Sequence, residues 1–258
     1  MIDDSRPSVA LVTGSSRGIG YGIARGLAAQ GYHVVLNARD GEQLDASRRR
    51  LADECAEMET SGVIYSQPFD VTDPDAVRAA VSAIEAEIGP LSTLINNAGI
   101  MMRRELTQTA LEQWDQALRT NLTGAFLVGT AVAPHMIARG RGKIVNIASV
   151  QSVLSRAGLG SYAAAKGALA SLTRSMCVEW GQHNIQINAV APGYILTDMT
   201  DQLRRDASFC AWLMNRAPAR RWGTVEDVVG PVTWLCSPQS DFVNGQIVYV
   251  DGGLTAAV

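Results

Sequence analysis

Short apolar runs alternate with longer segments of helical spacing, and this alternation limits the possible folds more than any other feature. Val9–Val12, His33–Leu36 and Leu91–Asn96 are runs of this kind. Strands that alternate with helices predict a parallel sheet with helices on both faces. Because Val, Ile and Leu dominate the runs, both faces of the strands should be covered. The predicted fold class is α/β, a doubly wound parallel sheet of about seven strands.

The alternation breaks in one place, between a strand and the helix that follows it. The predicted strands are 9–12, 33–36, 63–69, 91–96, 143–148, 185–190 and 246–250. The predicted helices are 19–30, 42–57, 74–88, 111–139, 162–181 and 224–236. Residues 193–221 interrupt the pattern, and long insertions of this kind often cover a substrate. We predict a single domain over residues 1–258, with 193–221 as its substrate-covering segment.

Charge and hydropathy argue against two classes of partner. The formal net charge of the 258 residues is -3 and no basic block occurs, so nothing favours binding to nucleic acid. Residues 1–8 are polar and carry two acids, whereas a secretory signal needs a basic start and a longer apolar core. No run approaches the ~20 apolar residues of a membrane span. We expect a cytoplasmic protein without a nucleic-acid or membrane partner.

The cysteines and histidines do not predict a metal site. Cys55, Cys177, Cys210 and Cys236 form no C-x-x-C pair, and their spacing matches no zinc framework. The three histidines lie far apart and form no H-E-x-x-H arrangement. We expect free thiols in a reducing compartment and no bound metal.

A glycine-rich turn, T-G-S-S-R-G-I-G at 13–20, connects the first strand to the first helix. Its glycines allow a tight turn and let backbone N–H groups approach a pyrophosphate. The N-terminus of the following helix adds the positive end of its dipole. Three residues separate the first two glycines, so the spacing departs from the G-x-G-x-x-G motif. The position of the turn nevertheless indicates a dinucleotide site in a Rossmann-like fold.

Tyr162 and Lys166 are four residues apart on a predicted helix and therefore share a face. A tyrosine pKa near ~10 is too high for proton exchange at neutral pH. A nearby ammonium stabilises tyrosinate, so we expect Lys166 to lower the pKa of Tyr162. Ser149 ends the preceding strand, where its hydroxyl could position a substrate oxygen. The pattern predicts acid–base chemistry at a carbonyl or alcohol.

The motifs together resemble the short-chain dehydrogenase/reductase family over essentially the whole chain. They are T-G-x-x-x-G-I-G at 13–20, N-N-A-G at 96–99, Asn121, Ser149, Tyr162-x-x-x-Lys166 and Pro192-Gly193. The resemblance implies hydride transfer between a nicotinamide and a secondary alcohol or ketone. It also implies that Tyr162 is the acid–base, that Lys166 also holds the nicotinamide ribose, and that Asn121 holds a water in a proton relay.

The same resemblance implies a set of cofactor contacts and an assembly. The contacts are Gly14, Ser16, Arg17, Gly18, Ile19 and Gly20 in the turn; Asn37 and Arg39; Asp70 and Val71 at adenine; Asn97, Ala98 and Gly99; Tyr162 and Lys166; and Pro192, Gly193, Ile195 and Thr197 at the carboxamide. The long helix with Trp114 and the helix 162–181 resemble faces that pair in this family, which implies a homotetramer.

The end of the second strand bears on the choice of cofactor. An acid near this point would hydrogen-bond a ribose 2′-hydroxyl and repel a 2′-phosphate, but Asn37 stands there. Arg17 and Arg39 instead supply guanidinium groups, which suit a phosphate. Asp40 complicates the assignment, because it could serve a 2′-hydroxyl if the loop shifted. We predict NADP(H), with NAD less favoured.

Several local strings resemble the members of the family that interconvert keto and hydroxy sugar acids. They lie at 97–104, 149–152, 191–194, 220–223 and 241–245. Arg103 and Arg104 follow the fourth strand, and a guanidinium can hold a carboxylate in a bidentate fashion. Gln151 and Tyr194 could hydrogen-bond the substrate hydroxyls, beside Ser149 and Tyr162. The arginines could instead pair with Glu105 or a neighbouring subunit.

Other functions stay open from the sequence. Val153 and Leu154 make the substrate rim more apolar than in the relatives, which would suit a less polar ketone. A related deoxygluconate dehydrogenase or a 3-oxoacyl thioester reductase would use the same catalytic residues. An NADP-binding sensor module without turnover is a further alternative, although such modules commonly lose the tyrosine or the lysine, and both are present here.

Overall fold

The computed structural model describes residues 8–257 of the chain. Residues 1–7, for which the sequence predicts no secretory signal, lie outside the described residues. Val258, the last residue of the predicted domain, lies outside them too.

A single seven-stranded sheet in the order β3-β2-β1-β4-β5-β6-β7 forms the centre of the described protein. Every neighbouring pair of strands is parallel. The strands are β1 Val9–Val12, β2 His33–Leu36, β3 Ile64–Ser66, β4 Leu91–Asn96, β5 Gly142–Ile147, β6 Ile185–Pro192 and β7 Ile247–Val250. The predicted doubly wound α/β class is therefore confirmed.

Helices cover both faces of this sheet. They are α1 Gly18–Ala29, α2 Gly41–Glu57, α3 Pro74–Ala83, α4 Leu111–Leu118, α5 Gly124–Arg139, α6 Gly160–Trp180, α7 Asp201–Arg204, α8 Ala207–Arg216 and α9 Val225–Cys236. One apolar core joins the strands to α1, α2 and α9, and a second joins them to α3, α5 and α6. Alternate residues of β1 serve the two cores: Ala10 and Val12 lie in the first, Val9 and Leu11 in the second.

Four predicted segments differ most from their predicted structure. The strand predicted over 63–69 is shorter, because the carbonyls of Gln67 and Phe69 accept hydrogen bonds from the Asn37 side chain instead of from a strand. The helices predicted over 74–88 and 111–139 widen into π-helical turns at Ile84–Ile88 and Arg119–Thr123. Residues 193–221, predicted as irregular, contain α7 and α8.

Strand order reverses between β1 and β4, which are neighbours in the sheet. The connections after β1 and β2 lead to one side, and those after β4 and β5 lead to the other. In open α/β sheets a ligand binds outside the carboxyl ends of the strands at such a switch point. The glycine-rich turn after β1 and the N-N-A-G segment at the end of β4 lie at this place.

Residues Leu111–Arg139 are by length and composition apolar enough to cross a membrane, with a mean hydropathy of 1.2. This is weak evidence for a membrane span, because the core helix of a soluble protein meets the same criteria. Part of the stretch is α5, whose Val128, Val132 and Met136 are fully buried in the second core. The absence of a membrane partner stays a prediction.

Candidate active site

Thr13 and Asn97 join the loops that follow β1 and β4. The Thr13 hydroxyl accepts hydrogen bonds from the backbone N–H groups of Asn97 (3.0 Å) and Ala98 (3.1 Å). The Asn97 side-chain amide donates to the carbonyls of Thr13 and Gly14, both at 2.9 Å. Gly14 has a φ of +62°, and a Cβ there would lie 2.7 Å from the Ala98 Cα. The two loops are therefore bonded together and form the floor of the site, and their close approach requires a glycine at position 14.

The N-terminus of α1 opens onto this floor and suits a pyrophosphate. Its N-cap residue, Arg17, makes no side-chain capping bond, and the first turn contains no acid. By contrast, Asp40, Asp73 and Asp206 cap α2, α3 and α8 with their carboxylates. Free N–H groups at a helix N-terminus bind anions, so the residues present fit the phosphates of a dinucleotide.

A pocket beside the glycine-rich turn suits the adenosine end of the cofactor. The predicted contacts that line it are Gly14, Asn37, Arg39, Asp70, Val71, Ala98 and Gly99. The Arg39 side chain is 71% exposed and lies 3.9 Å from Asp70. The Asp40 carboxylate accepts from the N–H groups of Glu42 and Gln43, so it is committed to capping α2. Asn37 is buried and donates to Gln67 and Phe69, which makes it a brace.

Arg17 lies elsewhere than Arg39. Its guanidinium is 3.7 Å from Asp198, which belongs to the predicted covering segment. Both side chains are well exposed, so this ion pair is weak. Arg17 does not line the adenosine pocket as described, whereas Arg39 does.

A cleft next to the floor gathers the predicted catalytic residues. The predicted site residues that line it are Ile19, Asn97, Gly99, Arg103, Asn121, Ser149, Gln151, Tyr162, Lys166, Pro192, Gly193, Tyr194, Ile195 and Thr197. Of the remaining predicted residues, Ser16, Arg17, Gly18, Gly20 and Arg104 line neither this cleft nor the adenosine pocket. Residues from β4, β5, α6 and the segment after β6 thus meet at one edge of the sheet.

Ser149 and Tyr162 form the reactive pair of the cleft. Ser149 follows β5, and its hydroxyl accepts the Gln151 N–H at 3.1 Å, which fixes its orientation. The same hydroxyl lies in hydrogen-bonding reach of the Tyr162 hydroxyl and lowers the pKa of Tyr162, but burial raises that pKa more strongly. The net pKa of Tyr162 is above its ordinary value, so the residue is held as a proton donor.

Lys166 is 4% exposed and donates to the Ile147 carbonyl at 2.6 Å. Its ammonium lies 5.8 Å from the centre of the Tyr162 ring. Burial lowers the pKa of Lys166 from 10.5 to about 8. The expectation that Lys166 lowers the pKa of Tyr162 is wrong for this structure: burial raises that pKa, and the Ser149 hydroxyl rather than Lys166 is the group that opposes the rise.

Asn121 lies in the π-helical turn between α4 and α5 rather than in a regular helix. Its side chain accepts the Ile100 N–H at 3.0 Å and donates to the carbonyls of Ile100 and Ala117, both at 2.9 Å. A Cβ on Gly99 would lie 2.7 Å from the Asn121 side-chain oxygen and 3.8 Å from the Lys166 nitrogen. The π-helical turn therefore brings Asn121 close to Lys166, and such turns often mark functional sites.

The segment after β6 closes the cleft. Gly193 donates its N–H to Val250 at 2.9 Å, which ties the end of β6 to β7. Ile195 is buried and forms a bridge with Gly223. The Thr200 hydroxyl donates to the Ile195 carbonyl at 2.6 Å and accepts the Thr197 N–H at 3.1 Å. These bonds hold Thr197 at the wall of the cleft.

The two predicted substrate arginines have different surroundings. Arg103 lines the cleft, and burial together with the Arg156 guanidinium lowers the pKa of Arg103. The backbone N–H of Arg104 donates to Gly158 at 2.9 Å, and its side chain does not line the cleft as described. Gln151 and Tyr194, the predicted hydroxyl contacts, both line it.

Sequence reasoning missed several residues near the substrate end. Arg156, Phe209, Trp212 and Arg216 line a second pocket that adjoins the cleft. Their positions in an irregular part of the chain gave no periodic signal, and only their residue types, arginine and aromatic, could have suggested a binding role. Thr13 was also missed, although its place before the first glycine is a usable signal.

Within residues 8–257, no group of three or more His, Cys, Asp or Glu side chains could hold a metal ion. Cys55, Cys177, Cys210 and Cys236 are all free thiols.

The chain is similar to known oxidoreductases along almost its whole length. A family model described as enoyl-(acyl carrier protein) reductase matches residues 14–255. Gluconate 5-dehydrogenase of Gluconobacter oxydans (strain 621H) is 51% identical, covering 96% of this chain and 95% of that protein. 5-Keto-D-gluconate 5-reductase of Escherichia coli (strain K12) is 44% identical, with coverage of 96% and 95%.

A solved structure agrees with these sequence relatives. The crystal structure of a gluconate 5-dehydrogenase from Burkholderia cenocepacia J2315, in complex with NADP and tartrate, superposes with a TM-score of 0.92. It is 47% identical and covers 97% of this chain and 96% of that chain.

Proposed function

Because the chain belongs to the short-chain dehydrogenase/reductase family, we propose that it interconverts 5-keto-D-gluconate and D-gluconate with NADP(H). The observation that carries the proposal is the cleft in which Ser149, Tyr162 and Lys166 face an arginine, Arg103. It is supported by relatives that are named for this reaction. A sugar acid offers a carbonyl that suits Ser149 and Tyr162, together with hydroxyls and a negative charge that suit a cleft containing Arg103.

The cofactor supplies or accepts the hydride when it is bound. The free N–H groups at the start of α1 would hold its pyrophosphate, and Lys166 would hold the nicotinamide ribose. Arg39 in the adenosine pocket would pair with a 2′-phosphate in place of Asp70, which lies 3.9 Å from it, and Asp40 is committed to capping α2. These residues support NADP(H) over NAD(H).

Replacing Arg39 tests this preference. Arg39→Ala should lower kcat/KM for NADPH about tenfold, since a hydrogen bond to a charged group is worth about 1.5 kcal/mol or more. It should change kcat/KM for NADH little. Arg78→Ala serves as the comparison variant and should leave both values unchanged, because Arg78 is an exposed arginine that pairs with Asp75 and does not line the adenosine pocket as described. A wild-type preference for NADH of tenfold or more would contradict the assignment.

Tyr162 is placed to exchange a proton with the substrate oxygen. In ketone reduction its hydroxyl donates the proton to the carbonyl oxygen, and the raised pKa of Tyr162 favours that direction near neutral pH. The Ser149 hydroxyl would hold the same oxygen, since its orientation is fixed by the Gln151 N–H. In alcohol oxidation Tyr162 must first lose its proton, so that rate should rise with pH.

Lys166 and Asn121 would return the proton to solvent. Because the pKa of Lys166 is about 8, its nitrogen can accept and release a proton near neutral pH. Asn121 lies beside it, with its carboxamide held by Ile100 and Ala117. A water between the two side chains would complete the relay.

A homotetramer in the cytoplasm is part of the proposal. Apolar side chains on α5 and α6 are exposed, including Phe126 at 46% and Val178 at 81%. Such side chains on two adjacent helices favour burial against further copies of the chain. Sedimentation equilibrium would test the assembly, and a monomer would contradict it.

An NADPH-oxidation screen tests the substrate. The panel contains 5-keto-D-gluconate, a 2-keto-3-deoxy sugar acid, a 3-oxoacyl thioester and simple ketones. We expect the highest kcat/KM for 5-keto-D-gluconate. A preference for the thioester or for a neutral ketone would contradict the proposal, and the exposed apolar Val153 at the rim makes the neutral ketone the sharper control. Cofactor binding without turnover on any compound would favour a sensor module.

A further inference from the structure

A second pocket adjoins the catalytic cleft on the side away from the cofactor. Gln151 and Tyr194 line both spaces and therefore form their shared wall. The outer side of the pocket is formed by α8, through Phe209, Trp212 and Arg216. A ligand whose reacting carbon lies at Tyr162 could extend past this wall into the pocket.

Two buried polar atoms, on residues that line this pocket, have no hydrogen-bond partner among residues 8–257. They are the side-chain oxygen Oε1 of Gln151, a residue that is 6% exposed, and the guanidinium nitrogen Nη1 of Arg216. Leaving a buried donor or acceptor unmade costs about 1–3 kcal/mol, more for charged groups. One atom is an acceptor and the other is a cationic donor. A ligand that carries both a hydroxyl and an anionic group would satisfy both.

Arg156 brings a second cation to the same pocket. Its guanidinium lies 4.3 Å from the centre of the Phe209 ring, which holds it in place by a cation–π contact. It also lies in hydrogen-bonding reach of the Tyr194 hydroxyl. Asp206 is nearby, but its carboxylate oxygen Oδ1 accepts from Ser208 and Phe209 at the start of α8. Within residues 8–257, neither Arg156 nor Arg216 has a carboxylate within ion-pair distance.

We propose that this pocket binds the carboxylate end of the substrate, with Arg156 and Arg216 on the carboxylate and Gln151 accepting from a hydroxyl of the carbon chain. The inference rests on the proposed function and deepens it, because it separates the end of the substrate that is recognised from the end that reacts. In a six-carbon acid that reacts at C5, the carboxylate carbon lies on the order of 5 Å away, four carbon–carbon bonds along the chain. That length suits two spaces with a common wall. Arg103 stays in the cleft, nearer the reacting end.

The first experiment removes each charge and measures both kinetics and binding. Arg156→Met and Arg216→Met should each raise KM for 5-keto-D-gluconate about 10- to 100-fold, the range for a hydrogen bond to a charged group, with little change in kcat. The affinity of the NADP-saturated protein for tartrate, measured by calorimetry, should fall by a similar factor. Arg205→Met is the matched control, because Arg205 is an exposed arginine of the same segment that pairs with Asp201. Arg216→Lys keeps the charge and should recover part of the affinity.

Several outcomes would overturn the proposal. Wild-type KM and tartrate affinity in both methionine variants would do so, and so would equal losses in the Arg205→Met control. If Arg216→Met lowers the midpoint of thermal unfolding, the test rests on Arg156→Met, because Arg156 is exposed and its replacement should not destabilise the fold. If wild-type protein reduces no keto-aldonate, the proposed function fails, and the tartrate affinities still decide whether the pocket binds a carboxylate.

Discussion

The cofactor floor (residues 13–20 and 97–99) and the substrate wall (residues 149–166 and 193–216) meet in one cleft, but the polar side chains of the floor are bonded within the protein, whereas several of those in the wall are not. In the floor, the Thr13 hydroxyl and the Asn97 amide are matched with backbone partners at 2.9–3.1 Å. In the wall, Lys166 is a buried cation whose pKa is lowered, and Gln151 and Arg216 each hold a buried atom without a protein partner.

This difference shows where stability and function are separated in the molecule. The polar groups of the floor are hydrogen-bonded to one another, so the floor presents a fixed backbone to any dinucleotide. The wall leaves donors and acceptors unmet, which costs stability but keeps them available to a substrate. Substitutions in the wall should therefore lower activity without unfolding the protein. Substitutions in the floor should unfold it first.

Tyr162→Phe gives the largest expected effect and tests the wall directly. Removing the hydroxyl takes away the proton donor, and general acid–base catalysis contributes about 10²- to 10⁴-fold. We expect kcat to fall by about 10³-fold while the midpoint of thermal unfolding changes little. Tyr65→Phe, remote on β3, is the control and should keep full activity. Activity within tenfold of wild type in the Tyr162 variant would sink the assignment.

Lys166→Met should show how much the buried ammonium of Lys166 lowers the free energy of unfolding. The pKa of Lys166 is about 8 in the folded protein and 10.5 in the reference state, so the unfolded chain holds the proton more tightly. Wild-type stability relative to the variant is therefore lowest below pH 8 and recovers as the pH rises towards 10.5. The pH-dependent part should amount to about 3 kcal/mol, since one pKa unit corresponds to about 1.4 kcal/mol.

Urea unfolding of both proteins at several pH values between 7 and 10.5 measures this difference. Groups shared by the two proteins cancel in the comparison. A difference that is constant over the whole range would mean that Lys166 has an ordinary pKa. In that case Lys166 would no longer count among the groups of the wall that lower the stability of the fold.

Thr13→Val tests the floor with a side chain of nearly the same shape. The substitution leaves the partly buried N–H groups of Asn97 and Ala98 without an acceptor, which should lower the free energy of unfolding by about 2–4 kcal/mol. Thr109→Val removes an exposed hydroxyl that bonds only the Glu105 carbonyl and should cost much less. Equal losses in denaturant titrations would mean that the floor is no more tightly bonded than the surface.

The floor was more predictable from the sequence than the wall. The glycines at 14, 18 and 20 follow from backbone geometry, which is local in the chain, and in the wall the Tyr162–Lys166 spacing is the feature that does so. The doubly wound parallel sheet followed from the alternation of strands and helices, although the order of its strands did not. The ion pair of Arg17 with Asp198 and the hydrogen bond of Asn37 to Phe69 could not be predicted, because they depend on contacts distant in sequence.

The residues that form the wall are not related by any helical or strand periodicity in the sequence. Arg156 follows β5 in an irregular segment, and Arg216 ends α8, some sixty residues later. Only the folded chain shows that they line one pocket. The π-helical turn at Asn121 could not be predicted either, because Arg119–Thr123 lie within the single helix predicted over 111–139 and a π-helical turn has no residue pattern of its own there.

Gln151→Met should give the smallest effect and the clearest contrast with Thr13→Val. Methionine has nearly the same length but no polar atom to leave unmade, so the free energy of unfolding should rise by about 1 kcal/mol. The same change removes the acceptor for a substrate hydroxyl, so KM for 5-keto-D-gluconate should rise several-fold while kcat stays close to wild type. Urea unfolding and steady-state kinetics on one preparation measure both quantities. A less stable variant would show that Gln151 is bonded within the protein after all, and the contrast between floor and wall would then reduce to Lys166 and the arginines.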